Sequence, residues 1–294
     1  MNYKVITHAK KNNKRMSTGD CHARFRENVG VKFPCVTRLA NIKNRRMRQI
    51  LSVLILTASL TAFGQEFEFD YHKDYERILS QTNDTSSNLN YDKLIQRFED
   101  NDTTLTDFEV LALLIGFTDN EYFKPYDYLT TEREIYSHNG NGKYEKALSM
   151  CDSFLVKVPV SQQALIEKSY SHHKLGQADS AQYYMWKFRR IMGAMAQSGD
   201  GFKPETAFFS LGPADGQNFI SKYLSSSIGT MGSGSDKYGN FVDILEMTWK
   251  DEESREQQSR SLYFQIEHAS KTMFGDINFE DLDKKEKRKK KKRK

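Results

Sequence analysis

Four places along the chain gather side chains able to do chemistry. The run Ser198-Gly199-Asp200-Gly201 could cradle an anion, because consecutive glycines leave backbone N–H groups open, with Asp200 and Glu205 as the polar groups of a binding site. It lacks the spacing and the lysine of a phosphate loop, and no strand-loop-helix pattern surrounds it, so a turn joining helix to sheet is the plainer expectation. His172 and His173 are adjacent and point about 100° apart on a helix, which prevents them from chelating one metal from one face. One packed and one solvated histidine is expected instead. Cys151 sits among helix-core residues with no histidine beside it, as a small buried hydrophobe does. The acidic run Asp100 to Asp107 lacks the central glycine of a calcium loop and has Leu111 where the bidentate glutamate belongs. These residues assemble no catalytic, cofactor or metal constellation. Asp102-Thr103-Thr104 and Asp179-Ser180-Ala181 match short triplets that some Gram-negative envelopes O-glycosylate.

A fifth feature is electrostatic. Lys284 to Lys294 holds ten Lys and Arg against Glu286, and its like charges should keep it unstructured in isolation. No aromatic is interleaved to stack on bases, and nucleic acid is not expected as a partner. Anionic phospholipid or lipopolysaccharide suits it better, at about 1 kcal/mol per cation near such a surface.

The elements that must position these groups are mainly helices. Tyr91, Leu94, Ile95 and Phe98 form one helical face. Thr106-Asp107-Phe108-Glu109 is a capping box, followed by the apolar stripe Phe108, Leu111, Leu114 and Ile115. Gly142-Lys-Tyr-Glu-Lys-Ala147 and Gly176-Gln-Ala-Asp-Ser-Ala181 repeat at an offset of 34 residues, the period of a tetratricopeptide helix pair. The glycines suit the turns and the alanines a close helix approach. Residues 80–88 read as a polar linker and 130–139 are poorly patterned for a helix. After Ser198 the composition changes: residues 206–211, 241–249 and 261–266 read as strands, the last two antiparallel neighbours, and 225–234 as a Gly/Ser-rich loop.

The 294 residues suit one large domain or two small ones. The net charge of +5 conceals +10 in the first 46 residues, +9 in the last eleven and −14 between them. Ile50 to Phe63 is an apolar run behind Arg45-Arg46-Met47-Arg48, ending at Ala62-Phe63-Gly64, the pattern of a secretory signal with cleavage before Gln65. It is shorter than the roughly 20 residues of a membrane span. No cysteine follows it for lipidation, so a soluble periplasmic protein is expected, translated from Met47.

Tyr91-Asp-Lys-Leu94, Lys124-Pro-Tyr126, Gly142 to Leu148, Ser198 to Phe208 and Leu262 to Ile266 together resemble an uncharacterised family of secreted Gram-negative proteins, the domain of unknown function DUF4919. The resemblance implies an envelope location and helices of tetratricopeptide type, and no activity. The expected organisation is an α+β chain: an upstream extension at 1–46, a signal peptide at 47–64, a helical domain at 65–198, a small antiparallel β-containing domain at 199–275 and a polybasic tail at 276–294. The expected function is a non-enzymatic scaffold that binds an envelope protein or peptide on its helical surface. The alternative is a small-ligand or hydrolytic protein with a cleft near Asp200 and Glu205.

Overall fold

The structure, a computed structural model, describes residues 69–250 and 256–274. The upstream extension, the signal segment and the tail at 276–294 lie outside the described residues. Those residues form an α+β fold of helices followed by a four-stranded sheet.

Seven helices come first: α1 (Tyr71–Asn83), α2 (Tyr91–Glu99), α3 (Asp107–Phe117), α4 (Pro125–Gly140), α5 (Tyr144–Leu155), α6 (Gln162–Lys174) and α7 (Ala178–Gln197). Helix α3 begins at the expected capping box, with the Glu109 N–H donating to Thr106 Oγ1 at 3.1 Å and the Thr106 N–H to Glu109 Oε2 at 2.7 Å. Every residue from Val110 to Phe117 is buried, because α1, α2 and α7 all pack against this helix. Such a helix is apolar on all sides. Two glycines turn the chain: Gly142 and Gly176 have φ of +73° and +74°, a region costly for side chains with a Cβ. They join α4 to α5 and α6 to α7, each pair packing together. Helix α1 absorbs Ser80 to Asn83 of the segment read as linker, since its apolar face at Tyr75 and Ile78 docks on α3.

Helix α4 runs through the poorly patterned stretch. Pro125 starts it, and two of its buried side chains, Glu132 and Asn139, are polar. Its inward face therefore carries no hydrophobic stripe to read. Helix α6 has the same character, burying Glu167, Lys168, Ser169 and Ser171.

Past α7 the chain makes a 3-10 turn at Pro204–Thr206, strand β1 (Phe208–Phe209), the short helix α8 (Pro213–Asn218) and a π turn at Phe219–Tyr223. Strands β2 (Ser227–Ser235), β3 (Phe241–Lys250) and β4 (Gln257–Gln265) and helix α9 (Glu267–Phe274) follow. The sheet order is β1-β4-β3-β2. Strands β3 and β4 pair antiparallel, Val242 opposite Gln265 and Lys250 opposite Gln257. The antiparallel expectation needs one correction: the sheet is mixed, because β1 lies parallel to β4. Ser198 Oγ accepts the Phe209 N–H and Gln265 O accepts the Ser210 N–H, which fixes the direction in which this two-residue strand enters. A second correction concerns 225–234, a loop by composition. Most of it is strand β2, held by pairing with β3 and mostly exposed, so neither propensity nor alternation marked it.

One hydrophobic core runs through both the helical and the sheet-bearing parts. It includes Leu94, Phe98, Phe188 and Ile191 from the helices, and Phe209, Phe219, Leu245 and Phe264 from the later segment.

Candidate functional site

The Ser198–Gly201 turn is built from bonds that its own residues satisfy. Ser198 is buried, and its hydroxyl also donates to Met195 O. Asp200 Oδ1 accepts the Phe202 N–H at 2.9 Å and the Thr206 hydroxyl at 2.5 Å. Gly201 has φ +67°, and a Cβ there would strike the Phe208 ring. Its N–H donates to Thr206 O, and its carbonyl accepts the Tyr263 N–H of β4. The turn thus staples α7 to the sheet. Glu205 stands exposed beside it, lining a shallow depression shared with Asp70 and Asp236. Asp200 and Glu205 therefore sit in one loop, with Asp200 facing the turn's own donors.

The other groups singled out in the sequence are also placed. Asp102 bonds Thr104 and Arg97, which hold its carboxyl down to about 2, and Arg97 reaches on to Glu109 at 2.5 Å. The acids of that loop are occupied by protein donors. His172 stacks on Tyr184 with ring centroids 5.4 Å apart, while His173 is partly exposed. Cys151 is fully buried, its thiol pushed up to about 12 by burial.

A pair of carboxyl groups that spacing did not connect lines a narrow cleft between α4, the turn before α6 and the start of α8. Glu132 is 8% exposed and accepts the Ser161 hydroxyl at 2.8 Å. Asp215 accepts the Gly212 N–H at 3.0 Å, closing the first turn of α8. Desolvation first, and the nearby charge of Glu132 second, push the Asp215 carboxyl up to about 8. Burial raises Glu132 too, against the pull of Ser161 and Lys222. A carboxyl pushed up that far, Asp215, can hold a proton at neutral pH, the requirement for proton donation. The cavity between these side chains measures about 20 Å³. That is room for about one water.

Behind the cleft, buried Glu167 accepts from Asn139 Nδ2 at 2.9 Å, Gln163 Nε2 at 2.8 Å and Lys222 Nζ at 3.3 Å. Lys222, in the π turn, also donates to Gln163 Oε1 at 2.7 Å. The chain's own α8 and π turn thus occupy the polar face that α6 presents.

A second site lies where α2, α6 and α7 meet. Lys187 is 7% exposed, with its ammonium 4.5 Å from the Tyr183 ring centroid and 5.5 Å from that of Phe98. Lys168 lies over Tyr184 at 4.1 Å and pairs with Asp152 at 2.5 Å. Among the described residues Lys187 has no carboxylate within ion-pair distance. Desolvation lowers it to about 8, and the charges of Glu99 and Asp100 only partly offset this. A cation on aromatic faces, short of an anion, can receive a carboxylate. The sequence hides this site because its parts come from three helices.

A family model for a domain of unknown function, DUF4919, matches residues 76–273 of the chain. No curated protein and no solved structure matches it.

Proposed function

The chain belongs to that family of unknown function, and from this premise we propose that it is a non-enzymatic interaction module of the cell envelope. The observation that carries this reading is Lys187, a desolvated ammonium on the rings of Tyr183 and Phe98 with no carboxylate of its own. It suits an acidic side chain or terminus of an envelope protein or peptide. Such a group would balance the ammonium's unpaired charge where α2, α6 and α7 meet. The glycine turns at Gly142 and Gly176 and their 34-residue offset support the tetratricopeptide-like reading of the surrounding helix pairs. The apolar run at 50–63 supports export to the periplasm, and the cations of 284–294 support attraction to anionic lipid or lipopolysaccharide.

Two experiments test the reading. Peptide mass spectrometry on separated cell fractions is expected to find a periplasmic protein beginning at Gln65, and an uncleaved cytoplasmic chain would overturn export. Affinity capture from periplasmic extract is expected to recover a partner about tenfold less with Lys187→Met, the effect of losing one anchor contact. Equal recovery would remove Lys187 from the binding surface.

A second reading, a small-ligand or hydrolytic protein, finds its support at the Glu132–Asp215 cleft rather than at Asp200 and Glu205. Its observation is Asp215, its carboxyl pushed up to about 8, beside a space for one water. The narrowness of that space favours the first reading, since small-molecule sites usually measure about 300 Å³ or more when enclosed. Any hydrolysis lost with Asp215→Asn would reverse the preference.

A further inference from the structure

Strand β2 ends the sheet, and its free side can be read from the register. Antiparallel pairs alternate between residues that exchange backbone hydrogen bonds and residues that do not. At the hairpin turn the Asp236 N–H donates to Asn240 O at 2.9 Å. Counting back along the register, Gly234 opposite Val242 and Gly232 opposite Ile244 are the bonded pairs. The N–H and C=O groups of Met231, Ser233 and Ser235 therefore point away from β3. All three residues are exposed, Met231 at 62%. Among the described residues no strand pairs with this edge.

Such an edge is normally blocked by lysine, proline or an inward charge. Between Ser227 and Ser235 there is no charged residue and no proline. A register shift lies between Ile228 and Met231, where the Thr230 N–H and hydroxyl both donate to Glu246 Oε2 at 2.9 Å. This bulge confines the regular open edge to Met231–Ser235, whose centre is Ser233.

We propose that β2 is a self-association edge: two copies of this chain pair antiparallel through Met231–Ser235, about a two-fold axis at Ser233. The arrangement complements itself. Met231 of each copy faces Ser235 of the other, and the outward groups of 231, 233 and 235 meet their counterparts in phase. Beyond that paired segment, the two-fold places the turn residue Lys237 of each copy at the end of β2 that holds Gly229 in the other. There the Glu246 carboxylate lies against the strand, as its approach to Gly229 and its bonds to Thr230 show. Lys237 is exposed and lies over the Tyr238 ring at 4.8 Å. Two symmetric Lys237–Glu246 pairs result, and charge complementarity thus favours a second copy over an unrelated strand.

Sedimentation velocity on the mature chain tests the pairing. Wild type is expected at twice the monomer mass. Ser233→Pro is expected at the monomer mass with an unchanged circular dichroism spectrum, because the N–H it removes makes no bond to β3. Should that variant lose its fold, Lys237→Glu carries the test, since it alters no strand hydrogen bond. It should weaken association about tenfold through like-charge contact with Glu246, and adding Glu246→Lys should restore it. A wild type that stays monomeric up to its solubility limit overturns the proposal. So does a dimer that persists in Ser233→Pro and Lys237→Glu alike.

Discussion

Asp215 and Lys187 are ionisable groups whose surroundings oppose their charge, and the two make different demands on pH. Desolvation pushes the folded Asp215 carboxyl up to about 8 from the 3.8 of a free aspartate. A raised carboxyl contributes stability that is fully present below its unfolded pKa and is lost as pH rises through the folded one. Stability should thus fall between about pH 4 and pH 8 on its account. Asp215→Asn keeps an acceptor for the Gly212 N–H and removes that titration. Urea titrations should show it more stable than wild type by about 1–3 kcal/mol at pH 8, with a flatter profile from pH 4 upward. Lys187, lowered to about 8 from 10.5, makes the unfolded chain bind the extra proton between those values. Stability should rise with pH across that window, and Lys187→Met should abolish the rise. The variant should also gain about 1–2 kcal/mol at pH 7 by removing a desolvated charge, even as it loses partner capture. A purely structural lysine would not show that division. Neither site was legible in the sequence. Glu132 and Asp215 are separated by 83 residues, and the anion-poor setting of Lys187 needs three helices to create. Cys151 and the Thr106–Glu109 box were legible, because burial in a helix and capping are local properties.

Elements were readable where the sequence marks their ends and obscure where their buried faces are polar. Gly142 and Gly176 declared two turns because positive φ selects glycine, whereas α4 was obscured by burying Glu132 and Asn139. Strand β2 escaped notice since it is mostly Gly and Ser, which do not favour strand, and its few apolar residues do not alternate; pairing with β3 imposes the conformation. Two glycine substitutions separate backbone strain from crowding. At Gly142 an added Cβ meets nothing within 4 Å, so Gly142→Ala should cost only the left-handed backbone penalty, about 1 kcal/mol. Gly201 has a similar φ, but its Cβ would strike the Phe208 ring inside the core. Gly201→Ala should therefore cost at least about 2–3 kcal/mol, adding an overpacking term to the same backbone term. Thermal denaturation of the two variants side by side measures the difference. Equal losses would mean that Phe208 moves aside freely.

At the scale of the whole molecule, the change in composition after Ser198 suggested a boundary, and secondary structure does change there. The hydrophobic core nevertheless runs from Phe69 through α3 and α7 to Phe264 and Ala269. Composition reports which elements a segment forms, but not which faces they bury together, so this continuity could not be read from the chain alone. Polar bonds cross the same seam. Lys222 reaches from the π turn to Gln163 and Glu167, and Glu167 is buried with Asn139 as a further donor. Removing the ammonium leaves a buried carboxylate short of its only cation among the described residues. Truncating one partner of a buried ion pair typically costs about 3–5 kcal/mol, and Lys222→Ala should fall near the lower end, because two amides still bond Glu167. With a shared core, that loss should lower the stability of helices and sheet together. Calorimetry should show one transition in wild type and one, shifted down, in the variant, with far-UV circular dichroism and near-UV tyrosine signals melting in step. Two resolved transitions, with only the later segment destabilised, would instead mean that the 65–198 and 199–275 segments unfold as separate domains and that the seam between them is an interface rather than a core.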